Sequence, residues 1–148
     1  MALVRILVVD DFEPWRRFIS SMVEQEPQFR IICEVSDGLE AVQKAKELEP
    51  DLILLDVGLP RLNGIAAARQ IRRFAPRSKI LFLTQESCPA VVREALRIGA
   101  GFVVKVDAGR ELLPAMKALM LSEQPFLSST VTTHTLEQAM DGLVQGEL

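Results

Sequence analysis

Five short apolar runs alternate with amphipathic segments along most of the chain, and this alternation limits the possible folds more than any other feature of the sequence. The runs are rich in Val, Ile and Leu and too short for typical helices; they cover residues 3–9, 31–35, 52–55, 80–83 and 102–104. Continuous apolar runs of this length are typical of strands covered on both faces, as in a parallel sheet. A β-α unit repeated five times therefore predicts an α/β fold with a doubly wound parallel sheet and right-handed crossovers.

The amphipathic segments carry the signals with which helices begin and end. Proline in a first turn and Asp or Asn at an N-cap are typical of helix starts. The first four helices are expected to begin near Pro14, Asp37, Asn63 and Pro89. Pro114 lies inside the fifth segment, and a proline is harmless only in the first turn of a helix. We expect the fifth helix to follow Asp107 and Gly109 and to run to about Ser122, and Pro114 is harmless there only if the helix begins late, near Arg110.

Three of these segments have a face on which the side chains are either all apolar or all basic. The apolar stripe of the first consists of Trp15, Phe18 and Met22. The apolar stripe of the second consists of Leu39, Val42, Ala45 and Leu48. The basic face of the third consists of Arg69, Arg72 and Arg73. Because the net charge of the chain is −3, we expect this basic face to be solvated rather than to bind nucleic acid.

Composition excludes several classes of protein. Of the 148 residues, 49% are hydrophobic and 25% are charged, which is average for a soluble domain and excludes a disordered chain. The two cysteines, Cys33 and Cys88, are far apart, so a disulfide scaffold is excluded and a reducing compartment is expected. No run approaches the roughly 18 apolar residues of a membrane span. The apolar N-terminus contains Arg5 and lacks a cleavage site, which argues against a signal peptide. We expect a cytoplasmic protein without membrane contact.

The composition changes towards the C-terminus. We expect one domain over residues 1–122 and a linker or tail over residues 123–148. Six of residues 128–135 are Ser or Thr, which is typical of a linker, and the sequence after them has room for one short helix. The tail contains no Lys or Arg and is too short for a helix-turn-helix module, so no complete DNA-binding domain is expected. His134, the only histidine, is assigned no ligand role.

Charged and polar residues follow four of the five predicted strands. Asp10 and Asp11 follow the first, Asp56 the third, Thr84 the fourth and Lys105 the fifth. In parallel α/β sheets, ligands bind beyond the carboxyl ends of the strands, so these residues are expected to converge there. Two carboxylates about 4 Å apart repel by about 4 kcal/mol at an effective dielectric of about 20. A divalent cation relieves this repulsion, and oxygen ligands from few carboxylates predict Mg²⁺ rather than zinc.

These groups have the chemistry that phosphoryl transfer to a carboxylate requires. Asp56 is the expected nucleophile. The metal neutralises charge on the transferring group, and Thr84 and Lys105 bind its remaining oxygens. Taken singly, each residue has an ordinary structural explanation, such as a solvated strand end or a turn aspartate. Their joint occurrence at the ends of successive strands favours the site.

The same residues carry a family resemblance over roughly residues 3–122. The matching motifs are Ile6 to Asp11, Leu52 to Asp56, Leu59-Pro60 with Asn63-Gly64, Leu83-Thr84, and Gly99 to Lys105. The chain resembles the receiver domain of a two-component response regulator, and residues 105–113 are similar to receivers of the NarL/FixJ type. The resemblance implies a flavodoxin-like, CheY-like (βα)5 fold with strand order 2-1-3-4-5.

The resemblance also implies a role for each acidic residue. Asp56 is the phosphoacceptor, supplied by a sensor histidine kinase or a phosphotransfer protein. Asp11, Asp56 and the backbone carbonyl of Gly58 ligate Mg²⁺, while Asp10 acts mainly through water. Such a domain is a phosphoacceptor that assists its own phosphorylation and dephosphorylation rather than an enzyme.

The remaining implied roles belong to the last two strands. Thr84 and Lys105 read the phosphoryl group, and Phe102 is the aromatic switch that turns inward when Thr84 moves. Two positions depart from the family pattern. Gln85 is bulkier than the usual small residue and is expected to slow phosphoryl transfer. Val106 replaces the usual proline, so a cis peptide bond is not expected there.

Three functions compete at this point. The first is a phosphorylation switch that changes protein contacts and forms a homodimer. It would control transcription through an output domain absent from this chain, and it would reach DNA only through that output domain. The second is a stand-alone receiver that acts by protein–protein interaction. The third is an aspartate-dependent hydrolase, which is disfavoured because such enzymes place an acid two residues after the nucleophile, where this chain has Gly58.

Overall fold

The protein is described by a computed structural model that covers residues 3–85, 88–98 and 101–121. Its strands are β1 (Val4–Val9), β2 (Phe29–Val35), β3 (Leu52–Asp56), β4 (Lys79–Thr84) and β5 (Gly101–Val104). They form one parallel five-stranded sheet in the order β2-β1-β3-β4-β5. The helices are α1 (Glu13–Val23), α2 (Gly38–Leu48), α3 (Gly64–Phe74), α4 (Pro89–Ile98) and α5 (Ala108–Leu121). The predicted fold class and strand order are confirmed.

Residue contacts divide the chain into two compact units, with the boundary after Leu81. In the first unit, β1 pairs in parallel with both β2 and β3. Every residue of β3 is buried, and so are the last four residues of β1. Strands enclosed in this way need apolar side chains on both faces, which explains the continuous apolar runs in the sequence.

The starts of α2 and α3 follow the sequence signals. Asp37 caps α2 by accepting a hydrogen bond from the backbone N–H of Glu40 at 2.8 Å. Asn63 caps α3 by accepting from the backbone N–H of Ala66 at 2.9 Å. Each cap satisfies a backbone donor that has no partner within its helix. The predicted N-terminal ends of both helices are therefore confirmed.

The buried faces of α1 and α2 differ from their most apolar stripes. In α1 the buried residues are Ile19 and Val23, whereas Phe18 is 41% exposed and its ring packs on Trp15 with centroids 5.1 Å apart. In α2 the buried positions are Gly38, Ala41 and Ala45, and Leu39 is exposed. The small side chains of α2 allow a close approach to its neighbours that larger apolar residues would prevent.

In the second unit, α4 and α5 pack against β5. The helix α5 follows Asp107, as expected, but it begins at Ala108 and not at the later start near Arg110 that would make Pro114 harmless. A 3₁₀ turn over Lys105–Asp107 leads directly into α5, and the N–H of Ala108 donates to the carbonyl of Lys105. Pro114 consequently lies inside the helix, where it has no N–H to donate to the carbonyl four residues earlier.

Other predictions fall on parts of the chain that the structure does not describe. The role of His134 and the short helix in the tail after residue 122 both lie outside the described residues. In the described part, no helix is both long enough and apolar enough to cross a membrane.

Hydrogen bonds connect residues at the amino-terminal ends of the strands in the first unit. The Ser78 hydroxyl donates to the carbonyl of Pro50 at 2.5 Å. Arg72 donates from Nη1 to the carbonyl of Ser78 at 2.8 Å, and burial lowers the pKa of its guanidinium. The backbone N–H of Arg5 donates to Asp51 Oδ2 at 2.8 Å. This network lies at the end of the strands opposite to the predicted site.

Candidate functional site

Three carboxylates meet at the carboxyl ends of β1 and β3. Val9 pairs with Leu55 in the parallel register, so Asp10 and Asp56 follow two residues that face each other across neighbouring strands. Carboxylate oxygens of Asp10, Asp11 and Asp56 all lie within 4.8 Å of one another. The structure therefore brings together the three acidic residues that the sequence predicted.

The three carboxylates differ in burial and in hydrogen bonding. The residues Asp10 and Asp56 are only 1% and 7% exposed, whereas Asp11 is exposed. Oδ1 of Asp10 accepts the backbone N–H of Phe12 at 2.9 Å. Oδ1 of Asp56 accepts a longer hydrogen bond from the backbone N–H of Gly58 at 3.4 Å. Asp10 is thus buried and held by a backbone hydrogen bond, whereas Asp11 is open to solvent.

The donor set of this cluster fits a hard divalent cation. Carboxylate oxygens are the ligands that Mg²⁺ prefers, and Mg²⁺ commonly keeps several waters beside one or two carboxylates. Two buried carboxylates at this separation repel each other strongly unless a positive charge lies nearby. The cluster can therefore hold Mg²⁺ with the exposed side of Asp11 available for the approach of water or ligand.

The loop between β3 and α3 is shaped by close backbone contacts. Leu62 donates its N–H to the carbonyl of Pro60 at 2.7 Å across Arg61, whose φ is +66°, and this forms a γ-turn. The N–H of Gly64 donates to the carbonyl of Val57 at 2.8 Å. These bonds hold the backbone on both sides of Gly58, the residue whose carbonyl the family resemblance assigns to the metal.

The same loop is attached to the N-terminus of α2. Nη1 of Arg61 lies 3.2 Å from Oδ2 of Asp37, the buried N-cap residue of that helix. The N–H of Gly38 donates to the carbonyl of Pro60 at 3.3 Å. A β-carbon at Gly38 would lie 1.7 Å from the carbonyl oxygen of Leu62, so only glycine fits at this contact. The sequence prediction recognised Asp37 as a cap but not its pairing with Arg61.

The other predicted site residues lie in the second unit or at its start. Thr84 is the last residue of β4, and Lys105 directly follows β5; both are half-buried. Phe102 is completely buried within β5. Gln85 is exposed, and Val106 is 81% exposed and follows Lys105 through a trans peptide bond.

Arg16 is a site residue that the sequence interpretation missed. Its guanidinium donates to the backbone carbonyl of Asp10, at the acidic cluster, and also faces Glu34 of β2. The apolar stripe that the sequence interpretation chose for α1 did not separate Arg16 from its neighbour Arg17, which is exposed and pairs with Glu13 of its own helix. The buried residues Ile19 and Val23 lie three and seven residues after Arg16, and this helical spacing is the signal that places Arg16 on the buried side of α1.

Relatives of known sequence match the chain over most of its length. It is 42% identical over 137 residues to a protein-glutamate methylesterase/protein-glutamine glutaminase of Thermotoga maritima, with 90% of this chain and 40% of that protein covered. It is 34% identical over 137 residues to the transcriptional regulatory protein LiaR of Bacillus subtilis, with 92% of this chain and 64% of LiaR covered. The chain thus spans less than two thirds of the length of either curated relative.

Solved structures and a family model agree with this similarity. A two-component response regulator of the LuxR family from Aurantimonas sp. SI85-9A1 is similar with a TM-score of 0.81 and 27% identity, over 97% of this chain and 99% of that one. The response regulator domain of Thermotoga maritima CheB is similar with a TM-score of 0.64 and 28% identity, over 97% and 92% of the two chains. The response regulator receiver domain model matches residues 6–117. The chain therefore belongs to the response regulator receiver domain family.

Proposed function

We propose that the chain is a phosphorylation-controlled switch in which Asp56 accepts a phosphoryl group from a sensor histidine kinase or a phosphotransfer protein. The observation that carries the proposal is the placement of Asp56, buried at the end of β3, with its carboxylate within 4.8 Å of those of Asp10 and Asp11. Membership of the receiver family supports the choice of Asp56 as the acceptor.

In the covalent step, the one protein atom that forms a new bond is a carboxylate oxygen of Asp56. An Asp56 oxygen forms the new P–O bond while the P–N bond of the donor phosphohistidine breaks and the imidazole leaves. Mg²⁺, when bound by Asp11, Asp56 and the Gly58 carbonyl, would offset the negative charge that gathers on the transferring group. Asp10, already bonded to the N–H of Phe12, is assigned to the water around the cation.

Thr84 and Lys105 are proposed to bind the remaining phosphoryl oxygens. Each stands at the carboxyl end of its strand, and their hydroxyl and ammonium groups are the donors that a phosphoryl group requires. Phosphorylated Asp56 would carry a charge of about −1.5 to −2 in place of the single negative charge of its carboxylate, and this increase would draw both donors towards it. Phe102 is proposed to be the aromatic switch that turns inward when Thr84 moves, and in this structure its side chain is already buried within β5. Gln85 is proposed to slow the transfer by its size.

The output is proposed to be a change in protein contacts, with a homodimer formed after phosphorylation. LiaR is named as a transcriptional regulatory protein and is longer than this chain, which supports control of transcription through a separate output domain. The methylesterase relative, of which this chain covers 40%, supports the view that the same kind of domain can be joined to a different output. A stand-alone receiver remains the alternative. We place the protein in the cytoplasm, where histidine kinases deliver their phosphoryl groups.

The test is phosphorylation by a small donor, read by intact mass. Wild-type protein with Mg²⁺ and acetyl phosphate is expected to gain the mass of one phosphoryl group, and Asp56→Asn is expected to gain none. Asp51→Asn is the matched control. Asp51 directly precedes the first residue of β3, at the end of the strand opposite to Asp56, and an amide oxygen at this position can still accept the N–H of Arg5. Undiminished labelling of the Asp56→Asn variant would reject the assignment.

A further inference from the structure

Arg16 connects the acidic cluster to the neighbouring strand β2. Its Nη1 donates to the backbone carbonyl of Asp10 at 2.5 Å, and its Nε lies 3.4 Å from Oε1 of Glu34. The side chain is only 19% exposed, so its length is packed against the protein. The guanidinium group is planar and rigid, so little conformational entropy is lost for each of the two contacts that it makes.

The carbonyl that accepts from Arg16 belongs to the peptide group between Asp10 and Asp11. The other polar groups of Asp10 are also bonded: its N–H donates to the carbonyl of Val35 at 3.1 Å, and its carboxylate accepts from Phe12. This peptide plane contains the Cα atoms of both residues, so holding it restricts the positions from which the side chains of Asp10 and Asp11 leave the backbone. Arg16 therefore acts on the two carboxylates through the backbone that links them.

A positioning effect and a charge effect of Arg16 have opposite signs. A positive charge beside the cluster repels an incoming divalent cation, so charge alone predicts that removal of Arg16 tightens cation binding. Loss of the hydrogen bond to Asp10 would loosen the ligands and weaken binding. Glu34 lies against the guanidinium and offsets part of its charge, which favours the positioning effect.

We propose that Arg16 is a positioning residue for the Mg²⁺ site, that it holds the Asp10–Asp11 peptide group in the orientation that presents both carboxylates, and that Glu34 orients it. The inference rests on the proposed function, because it requires an acidic cluster that binds a cation. The inference gives Arg16 of α1 and Glu34 of β2 a role in the site, in addition to the residues at the strand ends.

The experiment compares two adjacent arginines. Arg16→Ala and Arg17→Ala each remove one positive charge from α1, but Arg17 is 77% exposed and contacts Glu13 of its own helix. Mg²⁺ affinity is measured by titration calorimetry on the full chain without a phosphodonor. Arg16→Ala is expected to weaken binding about 10-fold or more, as losses of supporting contacts around metal ligands commonly do. Arg17→Ala is expected to change it less than about twofold. Unchanged or tighter binding by Arg16→Ala would overturn the inference.

Two further variants separate positioning from a general loss of structure. Arg16→Lys keeps the charge and most of the packing but loses the planar fork, so it should weaken Mg²⁺ binding while melting like the wild type without Mg²⁺. Glu34→Ala should weaken binding more in the wild-type background than in Arg16→Ala, because its orienting effect requires the guanidinium. Equal effects in both backgrounds, or an Arg16→Lys variant that binds like the wild type, would contradict the proposed roles.

The outcomes also separate this inference from the proposed function. A wild-type protein that neither binds Mg²⁺ nor is labelled at Asp56 would overturn both. A wild-type protein that binds Mg²⁺ and is labelled, beside an Arg16→Ala variant that binds equally well, would overturn only the role of Arg16.

Discussion

Replacement of Gly64 by alanine tests how the phosphoacceptor strand is joined to α3. An alanine β-carbon would lie 2.1 Å from the carbonyl oxygen of Asp56 and 2.8 Å from the Cα of Val57. Both are backbone atoms, so no flexible side chain can give way. Reaching an ordinary contact of 3.4 Å requires the strand end and the helix start to separate by about 1.3 Å.

Two effects of opposite sign determine the stability of this variant. Alanine in place of glycine in a helix stabilises by about 0.4–1 kcal/mol when its conformation is compatible. Overpacking against fixed backbone costs about 1–3 kcal/mol, and loss of the hydrogen bond from Gly64 to Val57 adds about 1 kcal/mol. The contact is the larger effect, and we expect the free energy of unfolding to fall by about 2 kcal/mol.

Equilibrium unfolding in urea, followed by circular dichroism, measures this change. Gly58→Ala is the matched control, because a β-carbon there meets no atom within 4 Å, and we expect a change within about 0.5 kcal/mol. A Gly64→Ala variant as stable as the wild type, or more stable, would refute the reasoning, because it would mean that helix propensity outweighs the contact with Asp56.

Three other substitutions test contacts away from the acidic cluster, each by urea unfolding. Asp37→Ala removes the cap of α2 and the partner of a loop arginine, and should cost about 1–2 kcal/mol; a loss that disappears at high salt would contradict the contribution of the cap. Arg72→Met should cost about 1–2 kcal/mol because it removes donors to backbone carbonyls, whereas the exposed Arg73→Met should change stability by less than about 0.5 kcal/mol, and equal effects would contradict this distinction. Ser78→Ala leaves the carbonyl of Pro50 without its hydroxyl donor and should cost about 1–3 kcal/mol; a neutral result would argue against that hydrogen bond.

The strands were predictable because burial on both faces leaves a direct trace in the sequence. The predicted runs for β1 and β3 match the observed strands to within one residue. The prediction for β2 began at Ile31, two residues after the observed start at Phe29. β2 lies at the edge of the sheet and includes the exposed Arg30, so no continuous apolar run marks its beginning.

The helices were less predictable because their burial depends on what packs against them. The most apolar stripe of α1 contains Phe18, yet the buried residues are Ile19 and Val23. Pro114 favoured a late start of α5 near Arg110, because the preference of proline for a first turn was given too much weight. In the structure, the 3₁₀ turn before Ala108 begins the helix early enough to leave Pro114 in its interior.

The sequence by itself determined the residue types at the strand ends, and in a parallel sheet those ends share one edge. For this reason Asp10, Asp11 and Asp56 could be predicted to meet, and the structure brings their carboxylates within 4.8 Å. Only the tertiary structure decided that Arg16 contacts the backbone carbonyl of Asp10 and the side chain of Glu34, because both groups belong to parts of the chain outside α1. Helical spacing from Ile19 and Val23 indicates which arginine faces the protein, but spacing within one helix does not tell which residues of other elements that arginine meets.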